Sequence, residues 1–273
     1  MRYPARPNNA EELRATIRAT WALITPEHHC GETKAQAELL NFQLFLQSET
    51  SPEDLQRISE ELTPFSQSWL PPAVSCLKSS SSEIELKQIQ QCAVDVTLDP
   101  DTAHPALILS DDGKQVKEDD AEKNLPDNPE RFDKCTSVLG KEGFSSGRFY
   151  YEVQVRGKTE WDLGVTSKSS NRKGEITARP ENGYWIVCLR NETEYVAAES
   201  YPVRLSLKQA PQKVGVFVDY EEGLVSFYDV EVRSHIYSFT GQSFTEKLYP
   251  YFSPSLNFGG VNSAPLIITS VEN

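Results

Sequence analysis

The chain has 273 residues, 38% of them hydrophobic and 10% aromatic, enough for one or two domains with a core that needs neither metal nor disulfides. Its net charge is −13, with 8 basic against 12 acidic side chains in residues 1–93 and 19 against 28 in residues 94–273. Acidity in both parts repels phosphate backbones and anionic membrane surfaces, which argues against nucleic acid and membrane as partners. The five cysteines (Cys30, Cys76, Cys92, Cys135 and Cys188) are odd in number and form no C-x-x-C pair. They read as free thiols in a reducing compartment rather than as a zinc set or a disulfide framework. Residue 1 is not followed by a charged and then an apolar targeting segment, and no apolar run reaches 18 residues, so a soluble, cytoplasmic protein is expected.

Residues 1–30 read as one helix with a leader. Asn9 and Glu12 form a capping-box pair, Leu13, Ile17, Trp21 and Ile24 share a face, and Thr25-Pro26 ends the pattern. Residues 31–93 read as a broken, partly disordered helical linker. Leu39, Phe42 and Leu46 make one stripe, Leu55, Ile58 and Leu62 a second, and Glu83–Gln91 a last short one, separated by prolines and the Ser79–Ser82 spacer. Such stripes are compatible with weak self-association through these helices. His28-His29-Cys30 cannot surround one metal from adjacent positions, and no further His or Cys stands near to complete a set.

From Val94 onward helical periodicity gives way to short strand signals. VDVTLDP (94–100) leads into the turn-rich HPALILSDDGKQV. Phe149, Tyr151, Val153 and Val155 alternate and are expected to face inward. Strands follow at 161–165, 184–189, 194–198, 213–219, 224–229, 235–239, 248–254 and 264–270. The central signal is KVGVFVDYEEGLVSFYD (213–229), two runs apolar on both faces and joined by a loop ending in Gly223. A hairpin of that kind must be covered on both sides. The expected fold is therefore an all-β antiparallel sandwich of two packed sheets, preceded by a short α-helical region.

VDYEEGLVSFYD resembles the LDYE-x-G-x-VSFY signature of the PRY/SPRY (B30.2-type) family. VDVTLDPDTAHPALILSDDGKQV resembles its opening PRY segment, and GFSSGRFYYEVQV, TEWDLGV, GYWIVCL and LYPYFSPSLNFGG follow in the family's order. The likeness covers residues 94–273, with 94–146 as the PRY part and 147–273 as the SPRY part, and is greatest to fish tripartite-motif proteins. It implies a non-enzymatic module that binds a protein ligand on one sheet face rimmed by loops, in innate immune or tripartite-motif signalling or as the recognition part of a ubiquitin ligase. Tyr151 stands where the family usually has Trp, so its hydroxyl requires a buried partner. Residues 1–93 hold three Cys and two His, too few for a RING finger and B-box. NNAEELRATIRATWALITPEHHC (8–30) resembles the tail of mariner-type transposases without their Asp/Asp/Glu centre.

The patterns that suggest chemistry fail on context. Gly143-Phe144-Ser145-Ser146-Gly147 fits G-x-S-x-G, yet a strand follows it where a nucleophile elbow needs a helix. His104 and His235 have no acid placed by sequence to orient them, and are expected to be structural. The acids between Asp111 and Glu122 lack calcium-loop spacing and read as a solvated loop. No catalytic residue, cofactor or metal is expected. A binding surface remains. Parity directs Trp185, Val187 and Leu189 into the core and Tyr184, Ile186, Cys188 and Arg190 away from it. The family resemblance puts Asp162, Cys188, Arg190, Leu256, Asn257 and Phe258 toward the ligand, with 168–182, 191–202 and 257–264 as rim loops.

Overall fold

In the computed structural model, which describes residues 86–271, the alternating segments become thirteen strands. They are β1 (Leu107–Leu109), β2 (Gln115–Glu118), β3 (Val138–Leu139), β4 (Arg148–Gln154), β5 (Trp161–Ser167), β6 (Tyr184–Arg190), β7 (Glu194–Ala197), β8 (Val203–Leu205), β9 (Lys213–Asp219), β10 (Leu224–Asp229), β11 (Ser234–Phe239), β12 (Leu248–Ser253) and β13 (Leu266–Thr269). A seven-stranded sheet runs β1-β2-β13-β4-β9-β10-β11 and a six-stranded sheet runs β3-β12-β5-β6-β7-β8, with every strand pairing antiparallel. The helices expected at 1–62, the transposase-like stretch, Cys30, Cys76 and the His28-His29-Cys30 cluster lie outside the described residues.

The core between the sheets follows the two-residue period. Phe149, Tyr151, Val153, Val214, Val216, Val218, Val225 and Phe227 come from one sheet, and Leu163, Val165, Trp185, Val187, Leu189 and Phe252 from the other. Each such side chain, fully withdrawn from water, contributes about 1.5–3 kcal/mol. The Tyr151 hydroxyl crosses the core and donates to the Gly164 carbonyl oxygen at 2.5 Å, so the ring in the usual Trp position has its partner and ties one sheet to the other. Gly164 is required there: with φ 153° it brings β5 so close to β6 that a Cβ would lie 2.0 Å from the Trp185 carbonyl oxygen.

The β9–β10 hairpin is covered on both sides, as its sequence demands. Its outer face carries Phe217 and Tyr228, which pack with Tyr150 beneath Leu86 and Ile89 of a helical turn at 86–90. Gly223 closes the loop at φ 62°. Glu152, buried on the same outer face, accepts from Gln90 and Tyr150 and pairs with Lys213 at 3.1 Å.

Three expectations need correction. Residues 94–100 form no strand. Val96 and Leu98 enter the core, but the backbone is held by single bridges and by bonds such as Leu98 N–H to Gly113 O, because the alternating Asp95, Thr97 and Asp99 run along a rim with no neighbouring ladder. The turn-rich stretch after it does form the β1–β2 hairpin, so the acidic segment is not wholly a solvated loop: Glu118 lies on β2. The rim segment 191–202 contains β7; its true turn is Asn191-Glu192, both at positive φ (49° and 65°).

Candidate binding face of the six-stranded sheet

The register of β12, β5, β6, β7 and β8 sets Ser253, Asp162, Cys188, Val196 and Arg204 in one row across the outer face. The next row toward the sheet end sets Arg190 opposite Glu194. Toward the other end the face is closed. Tyr184, Ile186, Cys188 and Tyr251 form a second apolar cluster with Phe132 and Leu139, and Ile176, Ala178 and Tyr249 pack on it. Parity is right about which residues point away from the core, but part of that outward face is covered, by Phe132 from the PRY segment and by Ile176 and Ala178 from the chain before β6.

Asp162 and Arg190 come together as an ion pair. Arg190 Nη1 lies 2.5 Å from Asp162 Oδ1, with side-chain exposures of 37% and 14%. The same Nη1 donates to the carbonyl oxygens of Trp161 (3.2 Å) and Leu189 (2.8 Å), which fix the guanidinium plane. Burial alone would lower the pKa of Arg190, but the adjacent Asp162 carboxylate outweighs it and raises the value.

Cys188, which the family resemblance put toward the ligand, lies on that face but is largely covered. Only 9% exposed, it forms part of the floor, and burial pushes its thiol well up, which keeps it protonated and unreactive. Cys135 is raised for the same reason. Cys92, Cys135 and Cys188 are free thiols.

Leu256, Asn257 and Phe258 sit on the loop that leaves β12 beside Asp162. Leu256 and Phe258 are each 49% exposed and Val261 is 63% exposed. Asn257 turns inward: its N–H donates to Glu118, so it braces the loop more than it displays a side chain. Ser255, Phe258, Gly259 and Gly260 all hold positive φ, a costly conformation for an aromatic residue unless the surroundings enforce it.

The enforcing residue is Asn262, which is 3% exposed. Its Nδ2 donates to the carbonyl oxygens of Glu160 (3.1 Å), Pro254 (2.9 Å) and Leu256 (3.0 Å), while Oδ1 accepts from the N–H groups of Thr159 (2.9 Å) and Glu160 (3.3 Å). Lys158, also buried, donates from Nζ to the carbonyls of Asn262 and Ala264. Loss of solvent pulls its pKa down to about 8. Ser255 Oγ adds a bond to Glu160. The loop is thus stapled to the strand entry that delivers Asp162. Sequence reading missed Asn262, Lys158 and Glu160, because nothing in a Gly-Gly-Val-Asn turn announces that its Asn will be buried.

The remaining expectations can be placed quickly. Gly143–Gly147 is irregular chain feeding β4, with Gly147 at φ 73°. His104 is buried and its Nδ1 accepts from the Ala106 N–H, a structural role; His235 Nε2 lies 2.6 Å from Ser238 Oγ. At the opposite end of β5 and β6 lies an open groove of about 620 Å³. Ser169, Ser170, Glu175, Glu181, Tyr184 and Glu246 line it, and Glu246 is already bonded to the N–H and hydroxyl of Ser169. Among the described residues no three His, Cys, Asp or Glu side chains gather as a metal site, and no helix is long and apolar enough to cross a membrane.

Comparison with known proteins agrees with this architecture. Residues 148–265 match the SPRY domain and residues 96–144 the SPRY-associated domain, PRY. Human Pyrin is 51% identical over 187 residues, covering 68% of this chain and 24% of that protein. Nuclear factor 7, brain, of Xenopus laevis is 53% identical over 169 residues, covering 62% and 28%. Human Zinc finger protein RFP is 48% identical over 184 residues, covering 67% and 36%. The chain therefore spans about a quarter to a third of these relatives' lengths. Among solved structures, the TRIM65 PSpry domain superposes with a TM-score of 0.59 at 23% identity, covering 68% of this chain and 95% of that one. Stonustoxin superposes at 0.57 with 27% identity, covering 65% and 29%.

Proposed function

This chain belongs to the PRY/SPRY, or B30.2-type, family, and from that premise we propose that it recognises a protein ligand on the outer face of its six-stranded sheet, binding it without catalysing a reaction. The observation that carries this reading is the union of a pinned guanidinium, Arg190 on Asp162, with a stapled loop that displays Leu256, Phe258 and Val261. Arginine forks and aromatic anchors on a rigid scaffold are the groups that dominate binding energy at protein interfaces. The SPRY family binds protein ligands, which supports the reading. Asp162 and Arg190 are the polar contact, Leu256 and Phe258 the apolar one, and Cys188 and Asn257 the supporting floor and brace.

The setting we propose is the cytoplasm, in innate immune or tripartite-motif-type signalling, with residues 94–273 as the recognition unit. Kinship with Pyrin, Nuclear factor 7 and Zinc finger protein RFP supports it. A second role, substrate recognition for a ubiquitin ligase, would need a RING-bearing partner or a longer form of the chain. Added to ubiquitin-activating and ubiquitin-conjugating enzymes, the chain is expected to form no ubiquitin conjugates by itself.

The test of binding is photo-crosslinking in cell lysate with a photo-reactive phenylalanine analogue in place of Phe258. A discrete adduct that disappears in the Arg190→Lys background, at unchanged melting temperature, is the expected result. Adducts indifferent to Arg190 would refute the assignment of this face.

A further inference from the structure

Arg190 wants an acceptor but its surroundings do not want an anion, and this says what kind of ligand fits. Its Nη1 meets Trp161 O, Leu189 O and Asp162, and the Cys188 thiol lies beside the guanidinium; among the described residues Nε and Nη2 donate to no nitrogen or oxygen, on a side chain 37% exposed. The guanidinium therefore offers one free N–H edge in a fixed plane. Asp162 already balances its charge. Glu160 adds a further negative field that raises the Arg190 pKa, and Glu194 stands directly opposite on β7. Arg204 is committed to Glu194 at 3.3 Å. Three carboxylates against two guanidiniums leave this end of the sheet negative, so an incoming carboxylate would be repelled where a carbonyl oxygen would not. Around the edge the surface is apolar: half-buried Val196 beside Cys188 as floor, and the exposed Leu256, Phe258 and Val261 as wall.

Resting on the binding face proposed above, we infer that its ligand is an uncharged, apolar peptide segment, with a main-chain carbonyl on the free edge of Arg190 and a large apolar side chain on the Leu256/Phe258 wall. The fixed plane selects the direction of the carbonyl and the wall selects the neighbouring side chain. Acidic segments are excluded by Glu160, Asp162 and Glu194. Basic segments find Asp162 and Glu194 already met by Arg190 and Arg204, with only Glu160 uncompensated, and an unpaired arginine edge facing them.

The experiment is selection of random twelve-residue peptides displayed on phage against the full chain, followed by affinity measurement of the enriched peptides. The expected peptides carry Phe, Leu, Ile or Met and a net charge near zero. Their affinity should change less than about threefold between 0.05 and 0.5 M salt, since no charge pair forms across the contact. It should fall about tenfold or more in Phe258→Ala and in Arg190→Lys, two changes chosen because they leave the Asp162 carboxylate compensated and the core untouched. Enrichment of Asp- or Glu-rich peptides would overturn the inference, because Arg190 would then be reading an anion. Enrichment of Lys- or Arg-rich peptides that keep their affinity in Arg190→Lys and lose it in Glu246→Gln would overturn it too, in favour of the opposite groove. Failure to enrich any peptide would overturn the claim of a linear ligand. The photo-crosslinking at Phe258 is read separately and would still report recognition of a folded partner.

Discussion

Replacing Asn262 tests whether the ligand loop is held by this one side chain. The amide makes five hydrogen bonds to backbone groups of Thr159, Glu160, Pro254 and Leu256. At about 0.5–1.5 kcal/mol net for each bond, the sum would be roughly 3–7 kcal/mol, and water reaching the rim re-satisfies part of it. We expect about 3 kcal/mol for Asn262→Ala, which at about 2–4 °C per kcal/mol for a domain of this size lowers the melting temperature by about 6–12 °C. Asn262→Asp separates hydrogen bonding from packing. It keeps the shape and both acceptor bonds but points an anion at three carbonyl oxygens, so it should cost at least as much as alanine. Circular dichroism melts give the temperatures, and hydrogen exchange at 255–261 shows where order is lost. An Asn262→Asp protein melting within about 1 °C of the parent, with unchanged exchange in that loop, would refute the staple.

Two further outcomes follow from the buried polar groups. Lys158 has its pKa lowered to about 8 by burial, so between about pH 8 and 10.5 the unfolded chain binds a proton that the folded chain has released. Stability should therefore rise with pH across that window, by about 2 kcal/mol in the difference between the parent and Lys158→Met, and parallel urea-unfolding curves from pH 7 to 10 would contradict the burial of this amine. Tyr151→Phe removes the hydroxyl that bonds Gly164 O between the sheets, so it should cost about 0.5–1.5 kcal/mol with an unchanged urea m-value.

The sandwich was legible because its central strands put large apolar groups at every second position. Phe149–Val155, Tyr184–Arg190 and Lys213–Asp229 declare their inner faces in sequence. The β1, β2 and β8 strands did not, being three or four residues long, too short for alternation to stand out. The site was legible in part. Parity identifies the side of β6 on which Cys188 and Arg190 lie, but not whether that side is open. What closes it over Cys188 comes from Phe132 and Leu139, about fifty residues earlier in the chain, and from Tyr251, about sixty residues later. The difference between Arg190 at the open edge and Cys188 beneath the roof is a tertiary fact that no local pattern carries.

The two outer faces of the sandwich differ in what they leave exposed. On the seven-stranded sheet, Leu86 and Ile89 cap Tyr150, Phe217 and Tyr228, and the buried Glu152 has its charge met by Lys213. On the six-stranded sheet the aromatic roof of Phe132, Tyr184 and Tyr251 stops short of the strand ends, and Ser137 and Tyr251 lock it by a hydroxyl pair at 2.7 Å. Beyond that roof lie the free edge of Arg190 and the apolar side chains held out on a strained loop. The fold commits Asn262 and Lys158 to holding that loop in place, so the binding proposed for this face would draw on side chains whose positions the staple fixes.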